Sequence, residues 1–279
     1  MRLGKLGFEK PAVILSDGSI ADISSIVDDI AGEAISPLGL EKIAKADLNS
    51  LPKLSANERI GACVGVSSKF IGIGLNYADH AAEAGLDVPP EPIMFMKATT
   101  CICGPNDEII IPPNSKKLDW EVELGIVIGT KGSYISKENA LEHVAGYCTI
   151  NDISEREHQI ERAGQWVKGK SADTFGPIGP WLVTKDEIAD PQNLALWLEV
   201  DGKKMQNGTT KTMVYGVEFL VHYVSQFMTL LPGDIIATGT PPGVGMGQKP
   251  EPIFLREGQK MRLSVEGLGE QNQITSQAK

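Results

Sequence analysis

Between residues 118 and 128 acidic and apolar residues alternate. Asp119, Glu121 and Glu123 interleave with Trp120, Val122 and Leu124. A period of two is that of a strand, which places the three carboxylates on one face and the apolar residues on the other. Like charges side by side on a pleated face repel one another, so something positive should lie over them. Acidic strands also arise for solubility alone, but the Ile126-Val127-Ile128 run that follows reads as a central strand rather than a solvated edge. The pattern therefore favours a metal ion. Asp152 supplies a further ligand. Residues 144–150 read as a second strand, Ser154-Glu155-Arg156-Glu157 reads as a helix start, and Asp152 falls at their junction. An aspartate at such a junction also serves as a helix cap; beside the acidic strand it reads as a ligand. Carboxylate oxygens suit hard cations, Mg²⁺ or Mn²⁺ first and Ca²⁺ after them, and suit Zn²⁺ poorly.

A second constellation surrounds His80. In 76–83, which reads as a short helix capped by Asn76, His80 and Glu83 stand three residues apart and hence on one face. A carboxylate beside an imidazole orients the ring and raises its basicity, as a general base acting on water requires; a surface ion pair has the same spacing. The following 85–92 carries Pro89, Pro90 and Pro92 and reads as a loop able to close over a site as a lid. Lys170 enters a turn bounded by Gly and Pro, where an ammonium could neutralise a substrate carboxylate or a developing enolate, or simply stand in water. Arg156, one helical turn after Asp152, could meet a carboxylate. Residues 238–247 are rich in Gly and Pro but do not spell Gly-x-Gly-x-x-Gly, and their prolines lack an N–H to offer a phosphate. They read as a backbone-lined loop over the site. There is no Gly-x-Ser-x-Gly elbow, and His143, His158 and His222 carry no motif.

These groups need elements to hold them. Residues 12–15 and 20–23 form a hairpin around Asp17-Gly18, short helices are expected at 26–30 and 38–44, and 51–68 reads as loop. Together they make a small N-terminal domain, 1–68, followed by a larger one, 69–279. In the larger part strands are expected at 70–74, 93–96, 109–111, 194–200, 234–238 and 260–266, and a helix at 137–143. Val217, Leu220, Val221, Val224, Phe227, Met228 and Leu231 form one apolar helical stripe, read as core, that Pro232-Gly233 ends. Strands dominate and no regular βα alternation appears. The expected class is α+β, a mixed β-sheet roll, rather than a TIM barrel or Rossmann fold.

Composition bounds the function. The 279 residues carry a net charge of −10 and 42% hydrophobic residues, ample for a core, with no cluster of Lys and Arg. Nucleic acid and anionic membranes are therefore not expected as partners. No stretch reaches the roughly 20 apolar residues of a membrane span, and no apolar signal segment opens the chain. The four cysteines lack Cys-x-x-Cys spacing, and Cys101 and Cys103 would share a strand face too strained for a bridge. Reduced thiols and a cytoplasmic location are the expectation.

Taken in order, six segments resemble the fumarylacetoacetate hydrolase superfamily. They are Gly74-Leu75-Asn76-Tyr77-Ala78-Asp79-His80-Ala81-Ala82-Glu83, Phe95-Met96-Lys97, Asp119-Trp120-Glu121-Val122-Glu123-Leu124-Gly125, the Asn151-Asp152 to Arg156 stretch, the Lys170-Ser171 to Pro177 stretch, and the Gly233-Asp234 to Gly245 stretch. The resemblance runs from about Lys69 to the C-terminus. It implies a rolled mixed-sheet catalytic domain in homodimers or homotetramers, and a Mg²⁺ or Mn²⁺ site at Glu121, Glu123 and Asp152. It also implies a lid dyad at His80 and Glu83, an active-site lysine at Lys170, and pocket positions at Lys97, Arg156, Gln159 and Thr240. Residues 154–157 and 161–166 look like bacterial members acting on 2,4-diketo-3-deoxy sugar acids; similar sequences are called ureidoglycolate lyase or 2-hydroxyhepta-2,4-diene-1,7-dioate isomerase. The smaller acylpyruvate hydrolases have Arg in place of Leu75 and Asp in place of Glu157. The implied reaction is metal-assisted hydrolysis of the C3–C4 bond of a 2,4-dioxo acid to pyruvate and a second acid. An isomerase, decarboxylase or lyase using the same enolate is the alternative, and a sugar-acid binding module without turnover is a third.

Overall fold

The computed structural model describes residues 1–85 and 87–278. Its first part is a four-stranded antiparallel sheet taken in chain order, Arg2–Leu3, Lys10–Ile14, Ile20–Asp22 and Lys53–Leu54. Gly18, at φ +82°, makes the turn of the expected hairpin. The helix expected at 26–30 is instead a run of turns leading to a 3₁₀ turn, Gly32–Ile35. Asp29 explains the difference. Its carboxylate accepts the Ile30 N–H at 2.8 Å and the Arg2 Nε at 2.6 Å, a local alternative to helical hydrogen bonding. The second helix forms at Pro37–Ala44, with Ser36 accepting the Gly39 N–H and proline at the first position.

The centre is a six-stranded mixed sheet ordered Val183–Thr184, Val144–Asn151, Val122–Ile128, Ile235–Ala237, Phe70–Gly74, Ile93–Lys97. Ile235–Ala237 runs antiparallel to Val122–Ile128 and parallel to Phe70–Gly74. Against it packs a five-stranded sheet of Lys203–Thr209, Ala195–Val200, Lys260–Val265, Glu270–Gln277 and Ile109–Ile111. The two inner faces share one core with part of the first 68 residues, among them Ile23, Ile35 and Val64, while Met1, Leu3, Ala12 and Ile20 form a separate small cluster. The α+β class with a rolled mixed sheet is what the chain adopts. Among the described residues, no helix is long and apolar enough to cross a membrane.

Several elements differ from the sequence reading. Residues 137–143 form a 3₁₀ helix. The apolar stripe is helical only over Val217–Ser225, where the backbone tightens to i→i−3 bonds, Gln226 N–H to the Tyr223 carbonyl and Phe227 N–H to that of Val224, both at 3.1 Å; Phe227, beyond the end, is 59% exposed rather than core. The strand Glu270–Gln277 was not anticipated. Its inward residues are Gln271, Gln273 and Thr275, so the alternation is present but polar.

Asn76 does not cap a helix. The helix is Ala78–Ala84, flanked by Tyr77 and by Gly85 at φ +66°. The Asn76 amide is buried and reaches across the chain, donating to the carbonyls of Thr238 at 2.8 Å and Tyr215 at 3.0 Å and accepting the Tyr215 N–H at 2.9 Å. It thereby joins the base of the His80 helix to the start of the Gly-rich loop. Asn76→Ala leaves three backbone groups without partners and should lower the unfolding free energy by about 2–4 kcal/mol in urea denaturation. A loss below about 0.5 kcal/mol would show that water or a rearranged backbone takes over these bonds.

Candidate metal centre

Glu121, Glu123 and Asp152 converge. Each is buried, and each offers a carboxylate oxygen within 4.8 Å of the others. Backbone pairing brings them there. Val122 pairs with Asn151 at the end of the central antiparallel ladder, and the Asp152 N–H donates to the Glu121 carbonyl at 2.8 Å. Asn151 and Gln206 finish the local hydrogen bonding, accepting the N–H groups of Glu121 and Val122.

Asp119 does not share their face. The strand breaks: Leu118–Asp119 pairs with Ser154–Glu155, and the ladder resumes at Val122. Ser154–Glu155 is therefore a strand, where a helix start was expected, and a π-helical turn, Glu157–Glu161, follows. The whole of 118–128 is buried, so neither face is a solvated one. The Asp119 carboxylate instead accepts the N–H groups of Gly245 at 2.6 Å and Met246 at 2.9 Å, and Arg156 Nε at 2.8 Å.

The cations are as buried as the anions. Lys170 Nζ sits 2.6 Å from both Glu121 Oε2 and Asp152 Oδ2. Lys97 binds the other oxygen of Asp152. Arg156 joins Asp119, Glu121 at 2.7 Å and the Gln159 carbonyl at 3.0 Å. Burial works against the Glu121 carboxylate, yet the Lys170 and Arg156 cations hold it far below its ordinary range. Burial also opposes the Lys170 ammonium, and Asp152 and Glu121 hold its pKa up.

Glu123 is the exception. Its hydrogen bond is to the Gly239 N–H, at 2.8 Å, and burial together with Asp152 and Glu121 pushes its pKa well above the usual carboxylate range. Four carboxylates (Asp119, Glu121, Glu123, Asp152) face three cations (Lys97, Arg156, Lys170), so with all four ionised one negative charge would have no partner, and the raised Glu123 pKa is where that deficit falls. An all-oxygen donor set short of positive charge fits a hard divalent cation, and Mg²⁺ or Mn²⁺ would be held by Glu121, Glu123 and Asp152.

His80 stands over the same cavity, of about 110 Å³. Its Nδ1 lies 3.1 Å from Glu83 Oε2, and the Gly243 N–H donates to that carboxylate at 3.0 Å. The cavity lining brings together His80, the three carboxylates, Lys170, Arg156, Gln159 and Thr240. Two sequence-derived residues stand behind it: Glu83 under His80, and Lys97, 1% exposed, under Asp152. The loop expected at 85–92 includes Leu86, which lies outside the described residues; beyond it the Tyr215 hydroxyl donates to the Pro89 carbonyl at 2.6 Å. All four cysteines are free and buried, Cys101 closing a 3₁₀ turn and Cys103 in the short strand after it. What the sequence reading left unassigned is the backbone of the Gly-rich loop. Its N–H groups at Gly239, Gly243, Gly245 and Met246 bind Glu123, Glu83 and Asp119, and the only advance sign of this was the density of glycine at 239–247.

Residues 69–274 match the family model described as fumarylacetoacetate (FAA) hydrolase C-terminal. A Burkholderia ambifaria protein that carries only a provisional hydrolase name is 61% identical over 279 residues, covering 100% of this chain and 99% of its own length. Among solved structures, a fumarylacetoacetate hydrolase from Exiguobacterium antarcticum is 37% identical, with a TM-score of 0.87 over 99% of this chain and 98% of that one. A 2-hydroxyhepta-2,4-diene-1,7-dioate isomerase from Mycobacterium marinum is 32% identical, with a TM-score of 0.74 over 99% and 98%. A maleylpyruvate hydrolase from Sphingobium sp. SYK-6, solved with manganese(II) and pyruvate, is 28% identical, with a TM-score of 0.82 over the whole of both chains.

Burial, Asp152 and Glu121 disfavour the ionised Glu123 that a cation needs, so cation binding competes with a proton there. Calorimetric affinity for Mg²⁺ or Mn²⁺ should therefore climb with pH, by up to about tenfold per unit while the pH lies below the raised Glu123 pKa. Glu123→Gln should weaken binding by at least about tenfold and flatten that dependence. A steep pH dependence surviving in Glu123→Gln would place the displaced proton elsewhere.

Proposed function

Since the chain belongs to the fumarylacetoacetate hydrolase family, we propose that it is a metal-dependent hydrolase. It would cleave the C3–C4 bond of a 2,4-dioxo acid, releasing pyruvate and a second acid. The observation that carries this reading is the carboxylate cluster, one positive charge short, in the same small cavity as a histidine already held by a carboxylate. When bound, Mg²⁺ or Mn²⁺ supplies Lewis-acid polarisation to an oxygen of the substrate.

The rest of the chemistry falls to the side chains. With Nδ1–H donating to Glu83, the other ring nitrogen of His80 is free to take a proton from water, and the water oxygen attacks C4. Glu83 is itself held by the Gly243 N–H, so the ring is oriented before substrate arrives. Breaking C3–C4 sends its electron pair into the three-carbon fragment as an enolate, and protonation at C3 gives pyruvate. Lys170 is placed to stabilise that negative charge. Gln159 offers its amide N–H to the substrate, Thr240 shapes the wall, and Lys97 steadies Asp152 from behind.

The Sphingobium neighbour, solved with manganese(II) and pyruvate, supports both the metal and the product. A second reading comes from the Mycobacterium marinum isomerase: the same enolate, formed without water attack. Sequence likeness at 154–157 and 161–166 points to 2,4-diketo-3-deoxy sugar acids as one substrate class for this chemistry, with an acyl tail without hydroxyls as the other. The proposal also takes in homodimers or homotetramers, a cytoplasmic location, and a division into 1–68 and a catalytic 69–279.

EDTA should abolish pyruvate release from a 2,4-dioxo acid, and Mg²⁺ or Mn²⁺ should restore it. His80→Ala should lower kcat by about two to four orders of magnitude while leaving oxalate affinity nearly intact. Near-normal pyruvate release by His80→Ala would require another base. Turnover that yields no carboxylic acid beside the 2-oxo product would favour the isomerase reading.

A further inference from the structure

The cavity at His80 has two kinds of wall. Its floor is the charged cluster; its outer wall is Phe95, Trp166, Ile160, Leu75 and Met246. Phe95 connects the two. Lys170 Nζ lies 5.3 Å from the centre of its ring, and that ring meets Trp166 at 5.4 Å and 60°. Gly74 permits the approach of the indole, since a Cβ there would come within 2.3 Å of the Trp166 ring. Leu75, the next residue, holds φ +50°, a left-handed conformation uncommon for leucine and often found at ligand sites.

Arg156 and Thr240 on the same lining already have partners within the protein. Arg156 directs Nε, Nη1 and Nη2 at Asp119, Gln159 and Glu121. The Thr240 hydroxyl donates to the Val122 carbonyl and accepts from Gln206 Nε2, both at 2.8 Å. The Gln159 carbonyl is taken by Arg156, which leaves its amide N–H. Beyond the floor and His80, little remains on this lining to receive a hydroxyl.

The geometry points to a substrate whose chain beyond C4 is apolar or unsaturated and lies on Phe95, Trp166 and Ile160, with hydroxylated tails disfavoured. This rests on the 2,4-dioxo acid reading for the head of the substrate, and it runs against the sugar-acid class for the tail. With the head on the charged floor, C4 faces His80 and the remaining carbons reach the aromatic wall that begins at Phe95. A methylene there leaves water for carbon surface. A hydroxyl there gives up its water partners and finds in exchange only the Gln159 amide N–H and the Trp166 indole N–H.

Two substrate pairs that differ only in hydroxyls test this on the Mg²⁺-loaded protein. 2,4-Dioxohexanoate and 5,6-dihydroxy-2,4-dioxohexanoate are compared for cleavage. 2-Oxohexanoate and 5,6-dihydroxy-2-oxohexanoate, which lack the 4-oxo group, are compared for binding by calorimetry. The unhydroxylated member should be favoured about 10- to 100-fold in each pair. Ile160→Asn, at a position 47% exposed and tolerant of a polar side chain, should narrow the preference several-fold, as should Trp166→Gln. Equal or tighter binding of the hydroxylated acid overturns the inference, as does a preference unchanged in Ile160→Asn. Preference in the binding pair with no cleavage of either dioxo acid supports the apolar tail and overturns the hydrolase reading instead.

Discussion

Buried charge is the constraint around which this molecule is arranged. Four carboxylates and three cations are gathered at one end of the central ladder, nearly all without access to water. An isolated ion at such depth would cost several kcal/mol or more, so each must be held where its neighbours compensate it. Lys170 and Arg156 do this for Glu121, and Lys97 and Lys170 for Asp152. The cluster cannot be loosened one member at a time. Its geometry therefore requires rigid backbone on every side, which the central ladder of Val122–Ile128 with Val144–Asn151 supplies.

The Gly-rich loop completes the arrangement by a different route. Where side-chain cations stop, backbone N–H groups take over: Gly239 for Glu123, Gly243 for Glu83, Gly245 and Met246 for Asp119. Gly243, at φ +106°, has the Met205 carbonyl 2.0 Å from where a Cβ would stand, so no other residue fits that point of the loop. One loop thus orients both Glu123 and Glu83, the carboxylate that holds His80. Asn76 then ties the loop's first residues to the base of the His80 helix. The dyad and the carboxylates are coupled through shared backbone rather than through direct contact.

The parts legible in the sequence are those whose cause is local. The period-two alternation at 118–128 and the strand ending at Asn151 point to Glu121, Glu123 and Asp152, because Glu123 lies in the central ladder and the other two adjoin its end, where the Asp152 N–H donates to the Glu121 carbonyl. Asp119 was misplaced because nothing in a periodic pattern shows where a strand breaks, and its partner Arg156 is 37 residues away. Asn76 resembles a cap because asparagine favours that role, whereas its partners are 139 and 162 residues distant. Glu270–Gln277 escaped notice because its inward side chains are amides and a hydroxyl while Ile274 faces outward, 38% exposed. There Gln271 donates to the Thr149 and Gly179 carbonyls and Gln273 to that of Pro105, so the amides act as core only because distant backbone awaits them.

The unmatched negative charge bears on how the site works. With every carboxylate paired, the cluster would need nothing and bind nothing. Glu123, left with one backbone donor, is held in a state that the protein alone does not satisfy. Under the metal-dependent reading, stability forgone there would become affinity for a cation, in keeping with the general conflict between a stable site and an active one. A divalent ion would overshoot the deficit by one positive charge, and a substrate carboxylate restores neutrality. Charge balance thus favours an anionic head on the floor of the cavity. The apolar wall at Phe95 and Trp166 then separates that head from the tail, so one residue pair marks the boundary between what the charges select and what packing selects.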